Sequence, residues 1–296
     1  MLIKRSFFRI LLFLLAHLPF SLVYLFSNLL SLLLYLIPNS HKTNTNINLK
    51  IAFPLLNKTE RAIFLRKSLK ATAKSLFETG VVWLNFRKLE RNNILKIEGI
   101  DNIKKSINLG KGLILFTPHM GNIELVLSFL AKNFSCTILY TEAKMVFLDS
   151  IMLSARKKTG AKMVKANPAG LKKILKALRE NKVIAMAPDQ VPNKKGGLLS
   201  NFFGHPALTM TLISNMASKT NSPCHSVTCV RLNEGAGFKI LFSKRIEPLN
   251  ALGLQEGVNL MNCELEKCIM RAPEQYAWEY KKYKHSGSKD IYKQRL

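Results

Sequence analysis

Apolar residues run almost without charge from Ile10 to Ile37, behind a basic start at Lys4, Arg5 and Arg9. His17 and Pro19 interrupt the run and leave Phe20 to Ile37, which also holds Asn28 and three serines. A spanning helix needs roughly 20 apolar residues, so this stretch is marginal for one. Three arrangements fit: a single spanning helix, an in-plane helix pair, or an apolar helix packed on the protein's own body. A cleavable leader fits poorly, because the apolar region is too long and lacks a small-x-small cleavage site.

The rhythm changes twice further on. From Asn44 to about Arg91, apolar positions such as Ile47, Ile51, Ile63, Leu69 and Leu76 recur among lysines, which predicts basic amphipathic helices broken at Pro54 and restarting near Thr59 and Glu60. After Asn93 short apolar runs alternate with helical stretches. Strands are expected at Leu95 to Ile97, Leu113 to Thr117, Thr137 to Tyr140, Met163 to Val164, Val183 to Ala187, Val227 to Val230 and Phe238 to Phe242. Helices are expected over Asn122 to Phe134, Met145 to Lys158, Ala169 to Asn181, Leu208 to Lys219 and Leu254 to Met270. Such alternation predicts an α/β fold with a mostly parallel central sheet flanked by helices. The expected organisation is an apolar membrane-associated region (1–42), a basic helical region (43–92) and an α/β domain (93–296). Ligands in open sheets of this kind gather beyond the carboxyl ends of strands, so the loops after Thr117, Tyr140, Ala187 and Phe242 become the places to search.

Charge adds a partner class. Lys and Arg number 45 against 18 for Asp and Glu, a formal net charge of +27, which favours an anionic partner: nucleic acid, an acidic lipid surface or an acidic protein. The lysines are dispersed and no nucleic-acid fold signature accompanies them. The five cysteines lack the spacing of a zinc site or a disulfide framework and are expected as buried thiols.

Chemistry concentrates at two strand ends. Gly112-Leu-Ile-Leu-Phe-Thr-Pro-His119 reads as a buried strand ending in a Pro-His loop, followed by Gly121, a capping Asn122 and Glu124 in the first helical turn. The spacing lets Glu124 reach back to His119 across the bend and hold one imidazole tautomer, giving a general base with its orienter. A loop histidine beside a capping carboxylate, with no chemistry, has the same spacing. Val183-Ile-Ala-Met-Ala-Pro-Asp189-Gln190 ends in the same way and delivers Asp189 to the same rim. Arg156 is placed to pair with Asp189 or to polarise a carbonyl oxygen, or it simply favours a helix C-terminus. Phe202-Phe203-Gly204-His205-Pro206-Ala207 reads as a glycine-punctuated loop, a candidate pocket lip. No G-x-S-x-G, H-E-x-x-H, Walker loop or G-x-G-x-x-G is present. A base without an evident protein nucleophile points to activation of a substrate hydroxyl, as in acyl transfer to an alcohol.

These residues resemble the bacterial lauroyl/myristoyl lipid A biosynthesis (late) acyltransferase family. The likeness spans nearly the whole chain, through Leu18-Pro19, Asn48-Leu49-Lys50-Ile51-Ala52-Phe53-Pro54, Thr117 to Glu124, Arg156, Pro188-Asp189-Gln190, Phe202 to Ala207 and Ala272-Pro273-Glu274-Gln275-Tyr276-Ala277-Trp278. It departs after that last block, where the family often carries His-Arg-Arg and this chain has Glu279-Tyr280-Lys281-Lys282. The resemblance implies a glycerolipid acyltransferase-like fold and transfer of an acyl chain from acyl carrier protein to a hydroxyl of a lipid A precursor, at the cytoplasmic face of the inner membrane. It implies no metal and no tightly held organic cofactor. It places the base at His119 and its carboxylate at Glu124, with Arg156 and Asp189 as polar neighbours. Asn122, Gln190, Phe202, Phe203 and Gly204 are expected to touch substrate. Two other readings stand beside this one: the same chemistry on another glycolipid or a lysolipid, and a non-catalytic basic protein that binds membrane surfaces or nucleic acid.

Overall fold

A computed structural model of the chain describes residues 12–14, 16–91, 95–142, 146–233, 236–246, 249, 251–287 and 290–293. The basic start at Lys4, Arg5 and Arg9, and Met145, lie outside these residues. After helical residues at 12–14 and 16–17 come α1 (Phe20–Leu36), α2 (Ser40–Ala52) and α3 (Lys58–Arg91). Pro54 stops α2 as expected. Asn57, not Thr59, caps α3, accepting from the Glu60 N–H at 2.9 Å while Glu60 Oε2 accepts from the Asn57 N–H at 2.9 Å. Asn85 leaves helical geometry (φ −143°, ψ 41°) and kinks α3.

β1 (Leu95–Glu98), α4 (Ile100–Ile107), β2 (Leu113–Phe116), α5 (Ile123–Phe134), β3 (Thr137–Tyr140), α6 (Val146–Lys158), β4 (Lys162–Lys165), α7 (Pro168–Arg179) and β5 (Val183–Met186) follow in alternation. A hairpin of β6 (Gly197–Phe202) and β7 (His205–Met210) comes next, then α8 (Leu212–Thr220), β8 (Cys224–Arg231), β9 (Phe238–Phe242) and α9 (Leu254–Ile269). The main sheet has the order β1-β9-β8-β2-β5-β3-β4, and every neighbouring pair is parallel except β8 with β9. The expected α/β fold, a mostly parallel sheet flanked by helices, is the observed one.

Strand side chains alternate between faces, and β2 shows what that does. Ile114 and Phe116 join a core with Ile174 and Leu178 of α7, Ile213 of α8 and Leu265 of α9. Leu113 and Leu115 join the opposite core, with Leu125 and Leu130 of α5 and Val81 and Val82 of α3. All four are buried, as a strand covered on both faces requires.

Two expectations need correction. Leu208 to Met210 was expected to begin a helix, and Phe202 to Ala207 to form a loop; both belong to an antiparallel hairpin in which Phe202 pairs with His205. Phe203 and Gly204 both have positive φ (50° and 72°), the geometry of a tight two-residue turn whose twist matches the strands. The described cysteines are free, but Cys263 is exposed on α9, unlike the buried Cys136, Cys224, Cys229 and Cys268.

Among the described residues no single helix is long and apolar enough to cross a membrane; α1 and α2 together reach that length and composition only as a pair bent by 78°.

Candidate active site

Register brings the two Pro-containing strand ends together. Phe116 pairs with Met186 in parallel, and the third residue beyond each is His119 and Asp189. Asp189 Oδ1 lies 2.7 Å from His119 Nδ1, and Oδ2 accepts the His119 backbone N–H at 2.8 Å. Asp189 is 2% exposed, while the His119 side chain keeps 30% exposure. An ionised carboxylate only accepts hydrogen bonds, so Nδ1 carries the proton and the neutral ring keeps its lone pair at Nε2. The Gln190 amide nitrogen approaches that atom at 3.3 Å.

Electrostatics follow from this pairing. Burial pushes the His119 pKa down, but the Asp189 charge and hydrogen bond, helped by the Glu124 charge, outweigh burial and the opposing Arg156 charge, so the pKa is raised. Burial would raise Asp189, yet the charge and hydrogen bonds of His119, with a further charge from Lys282, hold it below the ordinary carboxylate value.

Glu124 is engaged elsewhere. Its two oxygens accept from Arg156 Nε at 3.0 Å and Nη2 at 2.6 Å, and Oε2 also accepts from Trp83 Nε1 at 2.8 Å. This corrects two expectations: Glu124 acts on His119 through space only, and Arg156 pairs with Glu124 instead of Asp189. The cause is direction. Glu124 sits in the first turn of α5, from which it meets Arg156 near the end of α6 and Trp83 on α3. Asn122 caps α5 as expected, its Oδ1 accepting from the Leu125 N–H at 3.2 Å.

His119 stands on a ridge between two cavities of about 210 Å³ each. One is bounded by Thr72, Ser75 and Thr79 of α3, together with Asn122, Gln275 and Glu279. The other lies beyond the carboxyl ends of β3 and β5, where Leu127, Ile138, Leu139, Met152, Met186 and Met210 share the lining with Tyr140, Thr141, Arg156 and Gln190. Two recesses, each lined by both polar and apolar residues, thus meet at one imidazole.

The family model described as bacterial lipid A biosynthesis acyltransferase matches residues 2–285. The chain belongs to this family. It is therefore an acyltransferase. Similar proteins include the lipid A biosynthesis palmitoleoyltransferase of Escherichia coli K12, 25% identical over 240 residues that cover 80% of this chain and 76% of the relative. The lipid A biosynthesis lauroyltransferase of the same organism is 24% identical over 242 residues, covering 80% and 77%. A lipid A biosynthesis acyltransferase of Haemophilus influenzae is 25% identical over 274 residues, covering 90% and 83%.

In this lipid A acyltransferase family member, the remaining expected contacts separate into two groups. Asn122 and Gln190 line the cavities beside His119. Phe202, Phe203 and Gly204 sit at the hairpin tip, where Phe202 packs on Tyr276 and Tyr283, and Phe203 on Trp278 and Phe53, instead of lining either cavity. The hairpin's contribution to the site is Met210, at its far end. Sequence reasoning missed Trp83, Thr72 and Ser75, since nothing local marks which face of α3 meets the loop after β2. It also missed the buried pair of Glu78 with Arg231, joined at 2.5 and 2.6 Å, whose Arg231 reaches Ser75 at 3.0 Å.

Proposed function

We propose that the chain transfers a fatty acyl group from an acyl carrier protein thioester to a hydroxyl of a lipid A precursor, at the cytoplasmic face of the inner membrane. The observation that carries this reading is the His119–Asp189 pair on the ridge between two cavities that both open at the imidazole. The acyl chain takes the cavity that Leu127, Ile138, Met152, Met186 and Met210 help to line and the acceptor takes the other, so that both reach His119 Nε2.

His119 Nε2 removes the proton from the acceptor hydroxyl as its oxygen attacks the thioester carbonyl carbon. Asp189 holds the Nδ1–H and stabilises the imidazolium that forms. Arg156 lines the same cavity, and its N–H groups not engaged by Glu124 receive the developing oxyanion. Collapse of the tetrahedral centre breaks the carbon–sulfur bond, and the leaving thiolate recovers the proton from His119. The Glu124–Arg156 pair keeps the guanidinium fixed and partly neutralised.

Membrane contact is supported by α1, where Leu25, Leu29, Leu32, Leu33 and Leu36 are exposed, and by a groove of about 650 Å³ between α1 and α3 that Arg66 and Lys67 border. An acidic carrier protein is supported by exposed Lys157 and Lys158 on α6, the helix that supplies Met152 and Arg156 to the second cavity.

The test combines purified protein with an acyl carrier protein thioester and a panel of acceptors: lipid A precursors, other glycolipids and lysolipids. Wild type is expected to acylate the lipid A precursor and His119→Ala to lose transfer while remaining folded. Transfer confined to a lysolipid, or full activity of His119→Ala, contradicts the proposal.

A further inference from the structure

We infer that Glu279 selects the acceptor: the recess it shares with His119 takes the uncharged, hydrogen-bond-donating part of that molecule, and a phosphate beside the reacting hydroxyl is turned away. The inference rests on the acyl-transfer reading given above and names what the acceptor recess recognises.

Backbone bonds hold Glu279 beside His119. The Ala277 N–H donates to the His119 carbonyl at 2.9 Å, the Gly121 N–H donates to the Gln275 carbonyl at 3.0 Å, and Met120 forms a bridge with Tyr276. From the other side, Asn44 of α2 donates to the Glu279 carbonyl at 3.1 Å, and Asn48 donates to the Trp278 and Tyr280 carbonyls at 2.5 and 2.7 Å. Residues 275–280 are thereby pinned between α2 and the loop after β2, and Glu279 lines the recess that His119 also lines. Thr72 Oγ1 donates to Glu279 Oε2 at 3.2 Å and is the one other side chain among the described residues that bonds it.

The remaining polar side chains of the recess are engaged by the protein. Ser75 donates to the Gly121 carbonyl and accepts from Arg231 at 3.0 Å, and Thr79 donates to the Ser75 carbonyl at 2.8 Å. Gln275 accepts the Arg231 N–H at 2.8 Å and donates to the Arg231 carbonyl at 2.9 Å. Asn122 accepts from the Leu125 N–H, and its amide nitrogen faces Glu78 at 3.5 Å. What this leaves for a ligand is two acceptors, His119 Nε2 and the Glu279 carboxylate. A molecule that fits must therefore bring donors: the reacting hydroxyl for His119, and a second hydroxyl or an amide N–H for Glu279.

Charge points the same way. The chain carries 45 Lys and Arg, yet none lines this recess among the described residues. A phosphate there would face a carboxylate with no cation to offset it, at a site where the protein displaces screening water. Burial raises the Glu279 pKa against the pull of its own N–H, the Thr72 hydroxyl, His41 and His119. A donor brought by the acceptor joins the groups that favour the carboxylate.

The test uses the full-length protein with an acyl carrier protein thioester and a lipid A precursor, comparing wild type with Glu279→Gln and Glu279→Leu. Glu279→Leu is expected to raise the acceptor KM about 10-fold or more, the scale of one hydrogen bond to a charged group, and Glu279→Gln about 3-fold, because an amide oxygen still accepts. The KM for the carrier thioester stays unchanged in both. Glu279→Gln keeps the shape of the side chain, so it reads the loss of charge even where the Leu variant melts early. Three lipids then compete with the precursor: monoacylglycerol, with a hydroxyl beside a hydroxyl; N-acylethanolamine, with an amide N–H beside a hydroxyl; and lysophosphatidate, with a phosphate beside a hydroxyl. An uncharged lipid should compete with wild type more tightly than lysophosphatidate, and the one whose advantage disappears in Glu279→Leu identifies the donor as hydroxyl or amide. Lysophosphatidate should gain about 5-fold or more in affinity for Glu279→Gln, where the repelling charge is gone. An acceptor KM unmoved in both variants overturns the inference, as does a rise in the carrier KM instead. So does lysophosphatidate competing with wild type as well as the uncharged lipids do. A lower melting temperature with the same order of competitors in every protein marks a structural role and overturns it too. Any of these results with transfer by wild type intact removes only the role of Glu279, whereas no transfer by wild type removes the acyl-transfer reading itself.

Discussion

Asp189 and Glu124 are both buried carboxylates near His119, and their different partners give them different tasks. Asp189 touches the imidazole, whereas Glu124 neutralises Arg156. Asp189→Asn keeps the shape but removes the charge that raises His119. Its kcat/KM is expected to fall by about 10²- to 10⁴-fold, and its acid limb to move to lower pH than the wild-type limb, which lies above about 6.5. A pH–rate profile reads both. The wild-type sign follows from the base being active when neutral: transfer declines as pH drops through the raised His119 pKa. Glu124→Gln has another signature. It leaves a guanidinium that is 9% exposed without its counter-charge, which costs about 3–5 kcal/mol, visible as a lower melting temperature along with lost turnover. His225 shows that burial near the sheet does not by itself make a catalytic histidine. It bridges Ser106 at 2.7 Å and the Ser243 carbonyl at 3.1 Å, away from both cavities, and burial lowers its pKa.

Loop geometry at the element scale determines whether His119 is aimed at all. Gly121 has φ +57°, its N–H donates to the Gln275 carbonyl at 3.0 Å, and a Cβ there would run into the Cys229 carbonyl. Gly121→Ala is therefore expected to cost about 1–3 kcal/mol and to displace His119, seen as a lower melting temperature with a larger loss in kcat than a solvent-exposed alanine substitution gives. Legibility in the sequence divides along the same lines. β3 and β9 matched their expected limits, because short apolar runs between helical stretches have few alternatives. The β6–β7 hairpin did not, since Gly204 alone marks its turn while Phe203 takes a positive φ that its residue type rarely signals, and Pro206 disguises an edge strand. The site was half legible. Both strand ends and all four ionisable residues were visible, but pairing His119 with Glu124 followed sequence proximity. The partner across 70 residues, Asp189, is set by the β2–β5 register, which no local spacing encodes.

At the scale of the whole molecule, the outward leucines of α1, the basic composition and the site beyond the central strands β2 and β5 all suit the proposed acylation of a lipid. α1 rests on α3 through Val23 and Tyr24, with Lys74 of α3 4.7 Å from the centre of the Tyr24 ring, so its inner face is committed to the protein. The outward leucines Leu25, Leu29 and Leu32 are exposed and are the surface on which the proposed membrane contact rests. Replacing Leu25, Leu29 and Leu32 together by Asp is expected to reduce binding to anionic vesicles by tenfold or more on the order-of-magnitude scale of lost apolar burial, while the melting temperature changes little. A sedimentation assay with phosphatidylglycerol vesicles measures it, and unchanged binding would assign the membrane contact elsewhere.

The most direct measurement is the mass spectrum of lipid A from cells whose only copy of this protein is wild type or His119→Ala. Lipid A from the wild-type strain should be heavier by one ester-linked fatty acyl chain, and the His119→Ala strain should lack that chain. Identical spectra from the two strains would contradict acyl transfer by this imidazole.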